Sequence, residues 1–197
     1  MNIYQKMGLI IYFSFYGCFY IKLLLQRKGG IKTLQVGRGS KPKKTFIIEI
    51  ILVGMLLLTA FVQFISIVMV DQLLIIIHND FARYCGITLA SLGIIILIIS
   101  MATLHDSWRG GIDYNQKTQL VTTGIYKYSR NPGFIGIDLF SIGIALLFSN
   151  LLNVIFSAIL ILVLQLQILE EEKYLSTVFG EEYLNYRNKT SRYFGNK

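Results

Sequence analysis

The chain has 197 residues, of which 54% are hydrophobic and only 15% are charged. Soluble domains carry about 25% charged residues, so this composition excludes an ordinary water-soluble fold. The net charge of +8 does not indicate nucleic-acid binding, because many of the basic residues fall in one loop between two apolar segments. We therefore expect one all-α integral membrane domain that contacts membrane lipids and binds no nucleic acid.

Five apolar segments are predicted to cross the membrane, since a spanning helix needs about 20 apolar residues. In chain order they cover residues 3–25, 46–70, 82–104, 132–148 and 152–169. The fourth is short, and Asn131-Pro132 predicts its start, with Asn as N-cap and Pro at the first helical position. The last helix is expected to leave the membrane and to continue as a C-terminal cytosolic helix over 170–186.

The loop between the first two spans determines the predicted orientation. Loops rich in Lys and Arg stay in the cytoplasm, and this loop carries Arg27, Lys28, Lys32, Arg38, Lys41, Lys43 and Lys44. With five spans, the N-terminus then lies outside and the C-terminus lies in the cytoplasm. The polar segment 105–131 shares the cytoplasmic side with the C-terminal tail, whereas the loop around Asp71 and Asp80 lies outside.

Two polar clusters flank the last pair of helices, so both can meet at one membrane edge. The first cluster combines Tyr126, Tyr128 and Arg130 with the predicted helix start at Pro132. A helix N-terminus presents unpaired N–H groups and partial positive charge, which favours an anionic ligand. The alternative interpretation is an interfacial aromatic belt with a snorkelling arginine.

The second cluster is the acidic stretch Glu170-Glu171-Glu172, at the predicted exit of the last helix from the membrane. Glu172 shares a helix face with Ile168 and Leu175. Carboxylates among apolar anchors suit a cationic ligand in a half-buried site. The alternative is a solvated membrane exit at which Glu-Lys pairs mark the interface.

Other polar residues give weaker signals. Asp138 falls about two turns into the fourth predicted span. An ionisable group there is a functional candidate, and pairing with Arg130 or Arg109 is the structural alternative. His78 and His105 lack the spacing of metal ligands, and no P-loop, GxSxG, GxGxxG or HExxH motif occurs. We therefore predict no metal site.

The C-terminal half resembles the isoprenylcysteine carboxyl methyltransferase family, within the wider group of membrane phospholipid methyltransferases. The similar pieces are, in order, Trp108-Arg109, Leu120 through Tyr126, Arg130-Asn131-Pro132-x-Phe134-x-Gly136, and Glu171-Glu172-x-x-Leu175 through Tyr186. The two main motifs stand in the order and at the separation typical of the family. The N-terminal half is similar only in being membrane-spanning.

This resemblance implies a multi-span helical enzyme that uses S-adenosylmethionine at the cytosolic membrane edge. It implies that Glu171, the first Glu of the pair, takes the methionine amino group of the cofactor. The other cofactor-binding positions that we carry over are Thr118, Gln119, Leu120, Val121, Gly124, Tyr126, Asn131, Pro132, Gly133 and Phe134. The catalytic candidates are Arg130, Gln167 and Glu172.

Three departures from the family pattern concern the cofactor motif and the methyl acceptor. Asn131 stands where the family usually has His, a variant associated with bacterial relatives, and Phe134 stands where it usually has Tyr. Gln167 replaces an Arg that binds the substrate carboxylate in eukaryotic members. Because Gln can hydrogen-bond a carboxylate but cannot pair its charge, the acceptor need not be a prenylcysteine.

We therefore expect a methyltransferase of a bacterial inner membrane that methylates a carboxylate, or another nucleophile, of a lipid-like acceptor. A carboxylate needs no strong base, whereas an amine acceptor needs one, such as Asp138 or Glu172. The alternatives are a phospholipid N-methyltransferase, an NADPH-dependent sterol-type reductase and a non-catalytic membrane transport or assembly protein. The chain is short for the reductase, and a transporter would show repeated halves.

Overall fold

The computed structural model describes residues 1–34, 37–112 and 119–194. Over these ranges the secondary structure is helical, with isolated β-bridges and no strand. The α-helices in chain order are α1 (Ile3–Lys28), α2 (Lys43–Val68), α3 (Asp80–Leu104), α4 (Pro132–Leu147), α5 (Leu151–Phe179) and α6 (Glu181–Lys189). Short 3-10 turns cover Val70–Gln72, His105–Ser107 and Gly124–Lys127. The predicted all-α fold class is confirmed.

Four of these helices, α1, α2, α3 and α5, are long and apolar enough to cross a membrane. Each overlaps one predicted span, and each exposes large apolar side chains outward, as contact with lipid requires. α4 occupies the fourth predicted span, but its 16 residues reach only about 24 Å, less than the roughly 30 Å of bilayer hydrocarbon. That the chain crosses the membrane five times therefore stays a prediction.

The sequence predicted that the last helix continues unbroken to Tyr186, and this prediction was wrong. α5 ends at Phe179, and Gly180 adopts φ +51°, a left-handed conformation that glycine accepts at little cost. α6 begins at once after this break and ends at Lys189. The break brings α6 to the loop before α4, where Tyr186 Oη donates a 2.6 Å hydrogen bond to the carbonyl of Tyr126.

Glycines bring α3 and α4 into close contact. A Cβ on Gly136 would lie 2.7 Å from the carbonyl oxygen of Gly93, and a Cβ on Gly86 would lie 2.6 Å from that of Gly143. In a membrane, such small residues allow the close backbone approach that drives helix association through van der Waals packing. This contact holds the short α4 along α3 and places its first turn beside Ser100.

We expect Gly86→Val to destabilise the protein by at least 1–3 kcal/mol, roughly the cost of overpacking a close contact. The new side chain would meet the α4 backbone, which cannot move aside as a side-chain tip can. The apparent melting temperature in detergent measures the effect. The matched control is Gly54→Val on α2, where a Cβ would meet nothing within 4 Å. Equal melting temperatures for both variants would contradict the close α3–α4 contact.

The buried apolar core lies between α1, α3 and α4. Phe15 of α1 stacks on Phe140 of α4, with ring centroids 3.7 Å apart. Leu97 of α3 and Ile144 of α4 are at most 2% exposed. α1 is therefore packed into the bundle and does not lie beside it as a separate anchor.

Loops from distant parts of the chain gather at the two ends of the bundle. At one end, the N–H of Gly110 donates to the carbonyl of Thr33 at 3.0 Å, and the N–H of Arg130 donates to the carbonyl of Ser191 at 3.0 Å. At the other end, a 2.7 Å backbone hydrogen bond joins the α2–α3 loop to the α4–α5 turn. The basic loop, the polar segment after α3 and the C-terminal tail thus share one end of the molecule, as predicted.

Candidate functional site

A cavity of about 450 Å³ lies at the end of the bundle where the two polar clusters meet. All six helices contribute to its wall, together with parts of the α1–α2 loop and of the segment between α3 and α4. Its size is typical of sites for small molecules, which have about 300–1,000 Å³. Most of the lining is apolar, and the charged side chains that the described residues contribute to it are those of Glu49, Arg109, Arg130 and Glu171.

Most of the predicted site residues line this cavity. They are Gln119, Leu120, Val121, Tyr126, Asn131, Gly133, Phe134 and Glu171 of the cofactor set, and Arg130 and Gln167 of the catalytic set. Gly124, Pro132 and Glu172 do not belong to the lining. Thr118 lies outside the described residues. The loop before α4 and the acidic part of α5 therefore meet at one cavity, although about 40 residues separate them in the chain.

Glu171 reaches the cavity from the last turns of α5. Gln167, one turn earlier, donates a 3.1 Å hydrogen bond from Nε2 to Glu171 Oε1. Within the described part of the chain, no Lys or Arg forms a salt bridge with Glu171. Gln167 Oε1 is buried without a hydrogen-bond partner. A half-buried carboxylate that pairs with no cation of the described residues, next to an amide oxygen without a partner, provides acceptors for a cationic ligand that donates hydrogen bonds.

Two further lining residues carry buried polar atoms without a partner, namely Tyr183 Oη and Arg109 Nε. Burial, and then the nearby charge of Glu172, raise the pKa of Tyr183 to about 12, so its hydroxyl is a neutral donor. Arg109 also donates through Nη1 to the carbonyls of Asp106 and Trp108. Buried polar atoms normally have hydrogen-bond partners, so these atoms are available to a ligand or to water in the cavity.

Tyr126 is fixed from both sides at the cavity wall. Its hydroxyl lies 2.7 Å from Ser100 Oγ of α3, and its carbonyl accepts the hydrogen bond from Tyr186 of α6. Burial raises the pKa of the Tyr126 phenol above its usual value of 10; the Ser100 hydrogen bond opposes this shift, and the charge of Glu171 adds to it. The ring therefore stays neutral at physiological pH and presents an immobile aromatic surface to the cavity.

Arg130 binds a protein carboxylate in place of the anionic ligand that the sequence suggested. Its Nη2 and Nε atoms donate to Glu172 Oε1 at 2.7 and 3.2 Å. Its Nη1 atom donates to the carbonyls of Thr190 and Arg187. The side chains of Arg130 and Glu172 are 4% and 9% exposed, so this ion pair is buried. Most donors of the guanidinium are therefore occupied by the protein itself.

Glu172 holds the C-terminal tail against the start of α4. Besides Arg130, Arg192 donates to Glu172 Oε2 at 2.8 Å, and Asn131 Nδ2 donates to Oε1 at 3.4 Å. Since both carboxylate oxygens face donors and the residue lies off the cavity, Glu172 is poorly placed to act as a base. Asn131 precedes α4 as predicted, but its side chain caps no backbone N–H, because it donates to Glu172 and to the Arg192 carbonyl.

Asp138 pairs with neither Arg130 nor Arg109, although the sequence suggested such a pair. Arg130 is turned towards Glu172, and Arg109 donates to backbone carbonyls of its own loop. Asp138 Oδ1 is buried without a hydrogen-bond partner, and the residue does not line the cavity. It is therefore not placed as a base for a ligand bound there.

The N-terminal half contributes to the cavity as well, which was not predicted from the sequence. Glu49 of α2 lines the cavity, beside Trp108 and Ile112 of the segment after α3. A signal existed, because Glu49 is the only charged residue within the predicted span 46–70, and a charge inside a span is a functional candidate. Tyr174, Tyr183 and Tyr186 also line the cavity.

Comparison with known families matches residues 81–182, just over half of the chain, to the family described as phospholipid methyltransferase. The match begins in α3 and ends in α6, so it contains both polar clusters and leaves out α1 and α2.

Curated relatives match part of this chain. The protein-S-isoprenylcysteine O-methyltransferase of Saccharomyces cerevisiae is 36% identical over 107 residues, which cover 53% of this chain and 45% of the relative. That of Schizosaccharomyces pombe is 37% identical over 76 residues, which cover 38% of this chain and 32% of the relative. A probable enzyme of the same name from Oryza sativa subsp. japonica is 29% identical over 112 residues, which cover 55% of this chain and 59% of the relative. The matches thus span between about a third and three fifths of the relatives' length.

Proposed function

Because the chain belongs to the phospholipid methyltransferase family, we propose that it transfers a methyl group from S-adenosylmethionine to a lipid-like acceptor in the cavity. One observation carries this proposal: Glu171, whose carboxylate forms no salt bridge with any described Lys or Arg, shares a mostly apolar cavity with buried polar atoms that lack partners. The relatives named above are O-methyltransferases, which is consistent with this reaction.

The residues at the cavity fit the chemical groups of the donor. Glu171 and Gln167 Oε1 are acceptors for its ammonium group. The ring of Tyr126 offers a flat surface for an aromatic base or a sulfonium charge. Among the described lining residues, Arg109 is the cation that can bind a carboxylate, because Arg130 is already paired with Glu172. We assign the ammonium group of the donor to Glu171. Arg109 would then bind a carboxylate, which belongs either to the donor or to the acceptor.

The cavity favours a carboxylate acceptor over an amine. When bound, S-adenosylmethionine supplies an electrophilic methyl group, so the protein needs only to position the acceptor and to exclude water. An ionised carboxylate is ready to accept the methyl group, whereas an amine needs a base. Glu172 is enclosed by donors and Asp138 lies off the cavity. Of the lining carboxylates, Glu49 is paired with Lys41 and Glu171 is assigned to the donor, so none of these four groups is left to act as that base.

We propose that the cavity end of the bundle faces the cytoplasm of a bacterial cell. The basic α1–α2 loop lies at this end, and loops rich in Lys and Arg are retained in the cytoplasm. The N-terminus then lies outside, and the lipid-like acceptor enters the cavity from the inner leaflet. The Arg130-Asn131-Pro132 variant supports a bacterial inner membrane.

A phospholipid amine is the second candidate acceptor, because the description of the matching family names phospholipids. A purified protein in detergent, incubated with methyl-labelled S-adenosylmethionine, distinguishes the two. We expect label in a prenylcysteine or fatty-acid acceptor, released as methanol by mild alkali, because methyl esters hydrolyse and N-methyl groups do not. Alkali-stable label in phosphatidylethanolamine would instead show that the acceptor is an amine.

Calorimetry tests the donor separately from the acceptor. We expect the purified protein to bind S-adenosylmethionine and S-adenosylhomocysteine in the micromolar to millimolar range, roughly that of enzyme substrates, and not to bind NADPH. Binding of NADPH alone would support the sterol-type reductase. Binding of none of these molecules would support a non-catalytic membrane protein.

A further inference from the structure

A buried polar cluster joins the N-terminal half of the chain to the cavity wall. Gln26 of α1, Thr33 and Lys41 of the α1–α2 loop, and Glu49 of α2 are each at most 8% exposed. All four lie outside the region that matches the family. Burying polar and charged groups is costly unless they are paired, so the partners of this cluster show what it holds.

Glu49 uses both of its carboxylate oxygens. Oε1 accepts a 2.7 Å hydrogen bond from the backbone N–H of Ile112, and Oε2 pairs with Lys41 Nζ. The Glu49 and Lys41 side chains are 9% and 6% exposed. Ile112 is itself buried and lines the cavity. Glu49 therefore connects α2, the basic loop and the cavity wall through charge-assisted contacts, which are the stronger kind of hydrogen bond.

The same wall segment, Trp108–Ile112, is held at two other points. Gln26 Nε2 donates to the carbonyl of Trp108 at 3.0 Å, and Gln26 Oε1 accepts from Thr33 Oγ1 at 2.7 Å. The N–H of Gly110 donates to the carbonyl of Thr33 at 3.0 Å. The start and middle of the segment are thus tied to α1 and its loop, and its end is tied to α2.

The wall segment needs such ties because it has little structure of its own. It contains two adjacent glycines, Gly110 and Gly111, and Gly111 adopts φ +100°. Glycine has the largest conformational freedom of all residues, so contacts from elsewhere must fix the position of this backbone. All five residues of the segment line the cavity, so their position determines its shape.

We propose that Glu49 is a positioning residue that holds the segment Trp108–Ile112 in place as a wall of the donor cavity. It acts through the backbone of Ile112 and through Lys41, not by contact with the reacting atoms. Its effect on donor affinity rests on the proposed function, whereas its effect on the wall does not. The N-terminal half is thereby a working part of the site and not only a membrane anchor.

The chain provides its own probe for the wall, because Trp108 is the only tryptophan and is 8% exposed. We expect Glu49→Ala to shift Trp108 emission to the red and to increase its quenching by acrylamide. Glu49→Gln keeps an acceptor for the Ile112 N–H and is expected to be intermediate. The matched control is Glu170→Ala, which removes another buried glutamate that contacts α2 through Thr45 but does not line the cavity; it should leave Trp108 shielded.

Donor affinity is measured by calorimetry on the same proteins. We expect Glu49→Ala to weaken S-adenosylmethionine binding by about tenfold, the size of one lost charge-assisted hydrogen bond, and Glu49→Gln to recover part of this loss. Gln26→Ala releases the wall at Trp108 and is the second variant should Glu49→Ala not fold. We expect Gln26→Ala, like Glu49→Ala, to expose Trp108 and to weaken S-adenosylmethionine binding.

Two results would overturn the proposal: a Trp108 that stays equally shielded in Glu49→Ala, or an exposed Trp108 with unchanged donor affinity. A wild-type protein that binds no S-adenosylmethionine would refute the proposed function. In that event the quenching of Trp108 still decides whether Glu49 holds the wall.

Discussion

Glu171→Gln is expected to weaken S-adenosylmethionine binding by about 100-fold, or ~2.8 kcal/mol, within the range found when one partner of a buried charge pair is removed. Glu171 is the lining carboxylate that has no Lys or Arg partner within the described ranges, so it is free to pair with the donor ammonium. Gln has the same size, so the cavity keeps its shape. Calorimetry in detergent measures the loss.

The control for this variant is Glu181→Gln, which removes a carboxylate from the exposed surface of α6 and off the cavity. It should bind the donor as the wild type does. An affinity of Glu171→Gln that equals that of the control would show that another group holds the ammonium. A fall in melting temperature that accompanies the loss of affinity would point to a folding defect and would likewise count against the assignment.

Glu172→Ala is expected to destabilise the protein by about 3–5 kcal/mol, the cost of leaving a buried charge without its partner. The guanidinium of Arg130 would remain buried after losing the carboxylate that accepts from its Nη2 and Nε atoms. The C-terminal tail would also lose the contact between Arg192 and Glu172. Thermal unfolding in detergent measures this effect, even in a protein without bound donor.

Two further variants separate a structural role of Glu172 from a catalytic one. Arg192→Met removes the more exposed partner, whose side chain is 35% exposed, and should cost about 1 kcal/mol or less, because water screens this charge and Glu172 keeps its pairing with Arg130. The double variant Arg130→Met/Glu172→Leu should be more stable than Glu172→Ala, since it leaves no lone charge at this pair. A Glu172→Ala protein that melts like the wild type but has lost turnover would instead assign Glu172 to catalysis.

Adjacent residues of α5 thus serve different purposes. Neighbouring positions on a helix point about 100° apart, so Glu171 faces the cavity while Glu172 faces the loop before α4 and the tail. Glu170 points elsewhere again, towards Lys44 and Thr45 of α2. Of the three, only Glu171 lines the cavity, and the other two fasten the parts of the chain that surround it.

The helical class, the positions of the long helices and the grouping of polar loops at one end could be predicted from the sequence. These follow from local properties, since apolar runs set the helices, and Asn131-Pro132 marked the start of α4. The same local logic explains the meeting of the two clusters, because α4 and α5 form a hairpin with both polar ends on one side. The break at Gly180 was missed because acidic and aromatic residues continue a helical pattern across it.

The partners of the buried charges, in contrast, are known only from the packed structure. Arg130 could have bound a ligand, Asp138 or Glu172, and the sequence offers no means to choose between partners 42 residues apart. Likewise, the contact of Glu49 with Ile112 crosses 63 residues and depends on how α2 packs beside the segment after α3. Helix formation is governed by neighbours in the chain, whereas pairing of buried charges is governed by distances that exist only after the helices have packed.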